Sequence, residues 1–225
     1  MIRTTTFFLP LLTIVAACQQ PVAAGERAVL APAAKLAASE SRGLKTAIFA
    51  GGCFWGVEGV FSHVKGVTSA VSGYHGGTSG SARYRQVSAG STRHAEAVRV
   101  TYDPTKVGYD ELLRIFFSVI TDPTQLNRQG PDRGAHYRSA LVPIGAEQHK
   151  VAKAYLKQLA GTGLWKRPIV TRIETRGNFY RAEKYHQDFM LANPSHPYIL
   201  RWDAPKVAAL KKLYPGRYKA RFTTD

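Results

Sequence analysis

Cys53 is the side chain best placed to do chemistry, because it lies in the glycine- and aromatic-rich run GGCFWG at residues 51–56. An apolar, strand-like segment, residues 46–50, comes before it, and apolar residues at helical spacing follow it. A cysteine at a helix N-terminus lies beside unpaired N–H groups and the positive end of the helix dipole, which both favour the thiolate. We therefore expect Cys53 to be a nucleophile, with Phe54 and Trp55 as an aromatic wall, although a lone cysteine is more often a buried structural residue.

Glu96 is a candidate proton donor for a reaction at that thiol. The segment from His94 to Tyr102 alternates in the manner of a strand, and Glu96 shares a face with Val98 and Val100. Burial on an apolar face raises the pKa of a carboxyl group, which keeps a proton available near neutral pH. The period alone leaves an edge position or an ion pair equally open for this glutamate.

Phenol and histidine side chains supply the other candidate groups. A phenol can donate a hydrogen bond to a substrate oxygen without carrying charge. Four tyrosines lie in polar or glycine-rich surroundings: Tyr74, Tyr84, Tyr137 and Tyr185. Asp132, in a long polar loop, could position such a tyrosine or act as a turn residue.

A cysteine hydrolase or acyltransferase would need a histidine base, and any of the seven histidines leaves that alternative open. No histidine pair has the spacing of a metal site.

The elements that must position these groups alternate between helix and strand. Apolar periodicity predicts strands over 46–50, 94–102, 137–144 and 169–175, and helices over 109–120, 147–159 and 178–191. A polar loop, residues 121–135, follows the first of these helices. Such alternation predicts an α/β domain with helices packed on a sheet.

The N-terminal residues predict an export signal rather than part of the fold. Arg3 precedes an apolar stretch, residues 7–17, which is too short to span a bilayer and typical of a signal peptide. It ends in VAAC at residues 15–18, which resembles the lipobox of bacterial lipoproteins and predicts cleavage before Cys18, with lipid on its sulfur. Cleavage after Ala24 would instead give a soluble product. Both routes predict an exported protein on the periplasmic side.

Beyond the signal, residues 1–17, the sequence divides into a tether and one domain. Residues 18–43 are rich in alanine and small polar residues, which is typical of a flexible tether. Residues 44–225 are long enough for one compact domain and end in a basic tail. After either cleavage the mature chain holds one free thiol, Cys53, and a free thiol in an exported protein suggests catalysis.

The formal net charge of +16 is high, but its lysines and arginines are scattered and thicken only toward the C-terminus. We interpret this charge as a solvated surface that could also contact an anionic membrane. No helix-turn-helix pattern, zinc spacing or aromatic RNA-binding strand accompanies it, so nucleic acid is not an expected partner. Nothing in the sequence requires more than a monomer.

The same residues carry a resemblance to a known family. The core GCFWG, residues 52–56, resembles the active-site signature of A-type peptide methionine sulfoxide reductases. The likeness continues in order along nearly all of the domain, through residues 72–74, Tyr84, Val87, Gly90, Thr92, residues 94–96, 122–124 and 127–130, Asp132, and residues 137–139, 182–183 and 185–187. This ordered series is far more specific than the GCFWG core alone.

The resemblance implies a two-layer α/β sandwich with a mixed sheet, a ferredoxin-like core and a shallow, accessible site. It implies that the Cys53 thiolate attacks the sulfur of methionine-S-sulfoxide, in proteins or as the free amino acid, and becomes a sulfenic acid. Glu96 would give a proton to the sulfoxide oxygen. Tyr84 and Tyr137 would donate hydrogen bonds to that oxygen, and Asp132 would support the site. Phe54 and Trp55 would hold the substrate methyl group, and Tyr185 and His186 would pack near the site. No metal or bound organic cofactor is implied.

The sequence departs from many members of that family at its C-terminus. They carry C-terminal cysteines that resolve the sulfenic acid as a disulfide, whereas residues 191–225 contain none. Regeneration would then require an external thiol, from a thioredoxin-like protein or a small molecule. The expected partners are that reductant, oxidised proteins or peptides, and a membrane reached through the lipid anchor.

Overall fold

The computed structural model describes residues 28–174 and 177–224. Its strands are β1 (Lys45–Gly51), β2 (Val67–His75), β3 (Ala95–Tyr102), β4 (Arg128–Gln129), β5 (Asp132–Arg133), β6 (Ser139–Val142), β7 (Arg172–Ile173) and β8 (Phe179–Arg181). Its α-helices are α1 (Phe54–Ser62), α2 (Tyr84–Ser88), α3 (Tyr109–Ile115), α4 (Ala146–Ala160), α5 (Phe189–Ala192) and α6 (Ala204–Leu213). Short 3₁₀ turns (Ser79–Ser81, Ala135–Tyr137, Lys184–His186) and π-helical turns (Phe116–Ile120, Ile199–Asp203) complete the list. Within these residues, no helix is long and apolar enough to cross a membrane.

Six strands form one mixed sheet in the order β7-β6-β1-β3-β2-β8, and β4 and β5 form a separate hairpin. Neighbours in the sheet are antiparallel except β6 and β7, which are parallel. Within the sheet, β1-α1-β2-β3-α3-β6 is a βαββαβ unit with the ferredoxin-like strand order β6-β1-β3-β2. The predicted α/β class with a mixed sheet is therefore confirmed.

The main core lies between one face of this sheet and the helices. Phe49 of β1 and Val98 of β3 point into it and pack with Phe61 of α1. Because side chains alternate along a strand, Ala97 lies on the opposite face, in a small second cluster. Glu96 has the parity of Val98, so its carboxyl group points toward the helix-covered face.

Local sequence patterns predict most of these elements. The strands at 46–50 and 94–102 and the helix at 147–159 are found within one residue of their predicted ends. The helix at 109–120 is α3 followed by a π-helical turn. Two predicted strands are shorter in the structure, 137–144 being residues 139–142 and 169–175 being residues 172–173. No element is predicted over β2, because its serines, threonine and glycine dilute the apolar alternation.

The helix predicted over residues 178–191 is wrong. That stretch holds β8, which pairs with the end of β2, followed by a 3₁₀ turn and the start of the short α5. Gly73 allows this pairing, since a Cβ there would lie 2.3 Å from the ring of Phe179. Asp188 has a left-handed φ of 52°, which a continuous right-handed helix does not allow.

Residues 28–43, which we call the N-terminal strap, lie against the domain, whereas the sequence predicts a flexible tether there. Ala31 is fully buried and its N–H donates to the hydroxyl of Ser118. The Tyr102 hydroxyl donates to Glu40 at 2.5 Å. The predicted tether extends back to Cys18, and its first part, with the predicted signal and lipid site, lies outside the described residues.

Candidate active site

Cys53 lies at one end of the sheet, between the last residue of the inner strand β1 and the first residue of α1. Gly52 makes the turn with a φ of +92°, which costs glycine little and other residues much more. A Cβ on Gly52 would also lie 2.5 Å from the Cβ of Gln129, so the turn requires glycine for space as well. Cys53 is the N-cap residue of α1 and is only 8 % exposed. It therefore has the position between strand and helix that the sequence indicates, but it is more buried than a reactive thiol usually is.

The pKa of the Cys53 thiol is raised well above its usual value, so the thiolate expected at rest is wrong. Burial is the largest cause, and the charges of Asp203, Glu96 and Asp132 add to it. The N–H of Trp55, in the first turn of α1, bonds to the sulfur and lowers the pKa, but it is the smallest of these effects. The helix N-terminus acts in the expected direction and is outweighed by the loss of water and by three carboxyl groups.

Glu96 lies buried on β3 beside the thiol and is 2 % exposed. Its Oε2 accepts a 3.0 Å hydrogen bond from the N–H of Phe54, the amide directly after Cys53. Burial raises the pKa of Glu96 to about 8, with smaller contributions from Asp132 and Asp203, while the Phe54 bond lowers it. At neutral pH this carboxyl group therefore keeps its proton.

Two of the four candidate tyrosines belong to this site. Tyr84 begins α2 and Tyr137 ends a 3₁₀ turn before β6. Burial raises the pKa of Tyr84 to about 12 and that of Tyr137 further, and the charges of Glu96 and Cys53 act on both. Glu183 Oε1 accepts the Tyr84 N–H at 2.9 Å, which fixes the start of α2. Both phenols stay protonated and can donate to an oxygen bound near the thiol.

The other two candidate tyrosines lie outside this group. Tyr74 is fully buried opposite Glu96 in the sheet, and its hydroxyl donates to Glu183 at 2.7 Å. Tyr185 is 62 % exposed, and its ring lies 4.2 Å from the ring of the buried His186. Tyr74 is thus a core residue, and Tyr185 belongs to the rim.

Asp132 lies on β5, within the long polar loop, and accepts a hydrogen bond from the Tyr198 hydroxyl. Burial raises the pKa of Asp132, while the Tyr198 bond and the charges of Lys206 and His136 lower it. The charge of Cys53 acts on the Tyr198 phenol in turn and raises its pKa. No sequence pattern indicates Tyr198, because it lies in a stretch without apolar period and only the fold brings it to Asp132.

Asp203 is a second residue of the site that no sequence pattern indicates. It is fully buried, and after burial its charge is the largest cause of the raised pKa of Cys53. Gly56 in α1 makes this approach possible, since a Cβ there would lie 2.2 Å from Asp203 Oδ1. Lys206 Nζ lies 3.9 Å from the same oxygen. Gly56 in the sequence is compatible with another segment packing closely on α1, but it does not identify Asp203 as the residue that does so.

Trp55 forms the aromatic wall of the site. Its ring stacks on Phe189 with centroids 3.8 Å apart and an interplanar angle of 7°, and its Nε1–H donates to His186 Nδ1 at 3.2 Å. Phe54 is 1 % exposed and packs beneath the site against Tyr74. The wall expected from both aromatic residues is therefore Trp55, with Phe54 below it in the core.

A buried thiol, a protonated carboxylic acid and two phenols thus share one site. The set can bring a sulfur nucleophile to a substrate atom while an oxygen on that atom receives hydrogen bonds and a proton. The hydrolase alternative requires a histidine at the thiol, but His186 bonds to Trp55, and among the described residues no histidine bonds to the Cys53 sulfur. Across residues 28–174 and 177–224, no group of three or more His, Cys, Asp or Glu could hold a metal ion.

Comparison with known proteins adds independent information. The sequence matches the family model described as "Peptide methionine sulfoxide reductase" over residues 45–216. It is 55 % identical over 179 residues to the peptide methionine sulfoxide reductase MsrA 2 of Mesorhizobium japonicum, which covers 80 % of this chain and 92 % of that protein. It is 49 % identical over 173 residues to MsrA of Deinococcus radiodurans, covering 77 % and 84 % respectively. Among solved structures, methionine sulfoxide reductase A of Corynebacterium diphtheriae superposes with a TM-score of 0.58 at 34 % identity, covering 69 % of this chain and 78 % of that one.

Proposed function

The chain belongs to the A-type peptide methionine sulfoxide reductase family and is a thiol-dependent peptide-methionine sulfoxide reductase, and we propose that Cys53 and Glu96 carry its reaction. The observation that carries this proposal is the buried, protonated carboxyl group of Glu96 beside the buried thiol of Cys53. An acid and a thiol in one site suit a reaction in which an oxygen moves from one sulfur to another.

In the proposed step, the sulfoxide oxygen accepts hydrogen bonds from Tyr84 and Tyr137 and a proton from Glu96, which makes the substrate sulfur electrophilic. The Cys53 sulfur attacks that atom and forms an S–S bond, while the substrate S–O bond breaks and the oxygen leaves as hydroxide. Hydroxide then attacks the Cys53 sulfur, the S–S bond breaks, and Cys53 becomes a sulfenic acid. The sulfoxide gains two electrons and leaves as methionine, and the thiol loses the same two. The proton released by the thiol restores Glu96, so atoms and charge balance.

The remaining residues of the site bind and orient the substrate in this scheme. Trp55 contacts the substrate methyl group, Phe54 supports that wall from beneath, and His186 holds the indole through its hydrogen bond. Asp132 supports the phenol groups around the oxygen. Tyr185, on the exposed rim, contacts the polypeptide that carries the sulfoxide.

An external thiol returns Cys53 to its reduced state in this scheme. Cys53 is the free cysteine of the described residues. A first thiol attacks the sulfenic acid, forms a mixed disulfide with Cys53 and releases water, and a second thiol then frees Cys53 by exchange. A thioredoxin-like protein supplies both thiols from one molecule, whereas a small thiol is used twice. No bound metal or organic cofactor takes part.

A peptide that carries one methionine sulfoxide epimer at a time tests this function, with dithiothreitol as the reductant. We expect the S epimer alone to be reduced, and the Cys53→Ser variant to reduce neither. Cys18→Ser is the matched control, because it removes the other cysteine of the chain and should keep the activity. Full activity of Cys53→Ser, or equal reduction of the R epimer, would contradict the proposal.

We also propose that the enzyme is exported and held on the periplasmic side by a lipid on Cys18. The support is the signal-like sequence and lipobox of residues 1–18, which lie outside the described residues. Cell fractionation tests it: the parent chain should be found with the membranes and Cys18→Ser in the soluble periplasmic fraction. Parent protein in the cytoplasmic fraction would contradict export.

A further inference from the structure

A cavity lies where the N-terminal strap begins. It has a volume of about 610 Å³, and its lining includes residues 28–30 of the strap, residues 118–122 and residues 164–167. Leu30 and Leu164 in this lining are 52 % and 39 % exposed, and Trp165 is half-buried. Two large aliphatic side chains therefore face solvent around one cavity, next to an indole ring.

The charged side chains of the same cavity are mostly positive. Lys166 and Arg167 lie in its lining and are exposed, and among the described residues Asp122 is the only acid there. Asp122 Oδ1 accepts bonds from the N–H and the hydroxyl of Thr124, at 2.9 Å and 2.6 Å. Its other oxygen lies 3.5 Å from Arg167 Nη2. The carboxylate is thus held by its own loop and by one cation, and it leaves an excess of positive charge toward solvent.

A second cavity adjoins the first and extends this surface. Ala28 and Val119 line both of them. Arg201 and Trp202 lie in the second lining, with the Arg201 guanidinium carbon 5.1 Å from the centre of the indole. The exposed large side chains of the joined surface, which we call the entry face, are Leu30, Leu164, Lys166, Arg167 and Arg201.

The chain reaches the domain at the entry face. Ala28, which lines both cavities, is the first residue that the structure describes. Cys18, the predicted lipid site, comes ten residues earlier, and ten residues span at most about 35 Å when fully extended. The strap keeps this distance short, because contacts such as Ala31 with Ser118 fix the residues that follow. A lipid on Cys18 therefore holds the entry face close to the bilayer.

We infer that the entry face docks the domain on an anionic phospholipid bilayer. The inference rests on the proposed lipid anchor for the direction from which the bilayer approaches. Exposed aliphatic side chains enter the boundary between headgroups and acyl chains, and tryptophan favours that boundary. Lysine and arginine are attracted to anionic headgroups. The enzyme is thus held on the membrane by its own surface as well as by its lipid, instead of moving at the end of a free tether.

Vesicle binding by a chain without lipid tests the entry face. Expression from residue 19 removes the predicted signal and Cys18 and keeps every described residue. Binding is measured by co-sedimentation with phosphatidylcholine vesicles that contain one third phosphatidylglycerol or none. We expect binding to the anionic vesicles at low salt, and Lys166→Ser, Arg167→Ser should weaken it roughly tenfold. Leu30→Ser, Leu164→Ser should weaken it at least about fivefold, because less apolar surface is buried.

The opposite end of β1 supplies the matched apolar control. A Cβ on Gly51, the last residue of β1, would lie 3.0 Å from Ile120, which lines the first cavity. Leu44 precedes the first residue of β1, so it lies more than about 20 Å from that end. Ile144 lies beside it, because it follows β6, which is antiparallel to β1. Leu44→Ser, Ile144→Ser removes two side chains that are 62 % and 52 % exposed and should bind vesicles like the parent.

Arg42→Ser, Lys150→Ser is the matched charge control. Lys150 Nζ lies 3.7 Å from Glu147, so one of the two cations has an acidic neighbour, as Arg167 has in the entry face. This variant should also bind like the parent. All four double variants should reduce a soluble methionine-S-sulfoxide peptide at the parent rate, which shows that each is folded.

Three results would overturn the inference. The first is vesicle binding that the entry-face substitutions leave unchanged, and the second is an equal loss in the two controls, which would reflect net charge alone. The third is a dimer of the parent without vesicles that Leu30→Ser, Leu164→Ser abolishes, since this would assign the face to a second copy of the chain. Mass spectrometry of the full chain tests the anchor separately: Cys18 without lipid would contradict the anchor and not the vesicle result.

Discussion

At the residue scale, Cys53 and Glu96 are both protonated in the resting site for the same reason. Burial raises both pKa values, and the neighbouring carboxyl groups Asp132 and Asp203 raise them further. A protonated thiol is a weak nucleophile and oxidises slowly. Cys53 is therefore protected at rest, and the proposed reaction begins only when a sulfoxide brings an oxygen that can take the proton of Glu96.

Glu96→Gln tests the proton donor through the pH dependence of single turnover. Since the pKa of Glu96 is raised to about 8, the parent rate should be constant from weakly acid to neutral pH and fall as pH rises through about 8. The variant should lose roughly 100-fold or more in rate, which is the usual contribution of general acid catalysis, together with the fall near pH 8. A fall near pH 8 that persists in Glu96→Gln would assign that ionisation to another group.

Glu58→Gln is the matched control for this experiment. Glu58 is fully buried in α1, and burial raises its pKa to about 8 as well, but it is not among the groups that act on Cys53. The folded chain keeps protons on both carboxyl groups between pH 4.5 and about 8, where the unfolded chain has lost them, so parent stability falls as pH rises. Both variants should exceed the parent in thermal midpoint at pH 8, yet only Glu58→Gln should keep the sulfoxide reduction rate.

At the element scale, the site depends on how closely other segments approach the first turn of α1. The π-helical turn at residues 199–203 brings Asp203 against Gly56, and the loop that carries Gln129 packs on Gly52. The first approach places a carboxyl group where its charge acts on the thiol, and no local pattern in the sequence connects Asp203 with Cys53. The glycines around Cys53 thus set the distance between elements as well as the path of the backbone.

Gly56→Ala tests this packing. The new Cβ would lie 2.2 Å from Asp203 Oδ1, so Asp203 must move away from the thiol. Overpacking typically costs about 1–3 kcal/mol, against a gain of up to about 1 kcal/mol in helix propensity. We expect a net loss of roughly 1 kcal/mol in the free energy of unfolding, measured in urea, and a slower single turnover.

Gly161→Ala is the control for this change, because its nearest neighbour to a new Cβ lies 3.6 Å away and its φ is −88°. It should leave both stability and turnover close to those of the parent. A Gly56→Ala variant that behaves like Gly161→Ala would show that the approach of Asp203 does not matter for the thiol.

At the scale of the whole molecule, both ends of the described chain pack on the domain, and Cys53 is the free cysteine of the described residues. The N-terminal strap crosses the helices and is fixed by contacts such as Ala31 with Ser118 and Glu40 with Tyr102. The C-terminal residues 191–225 supply Tyr198 and Asp203 to the site, but no cysteine. The C-terminal segment therefore builds the site and contributes no thiol to its recycling.

One equivalent of methionine should form per chain when Cys18→Ser reacts with excess methionine-S-sulfoxide peptide without reductant. Cys53 is the only thiol of that variant, so it should end as a sulfenic acid. Mass spectrometry should show one dimedone adduct on Cys53, and added dithiothreitol should restore turnover. More than one methionine per chain in the absence of a thiol would contradict the proposed dependence on an external reductant.

The sequence by itself determines the features that depend on short-range pattern. The turn around Cys53, the inward parity of Glu96 and the elements β1, β3 and α4 follow from local period and from glycine at a tight turn. The ordered series of motifs in the GCFWG resemblance indicates the family. These properties are encoded within a few residues, so a single sequence suffices to predict them.

Only the tertiary structure decides the state of the thiol. The helix N-terminus at Cys53 predicts a thiolate. Burial and the charges of Asp203, Glu96 and Asp132 instead raise the pKa of Cys53, so that the thiol keeps its proton. These carboxyl groups come from segments 43 to 150 residues away in the chain, and desolvation depends on how completely those segments exclude water. Neither quantity has a local signature, because both are properties of the packed domain and not of the neighbouring sequence.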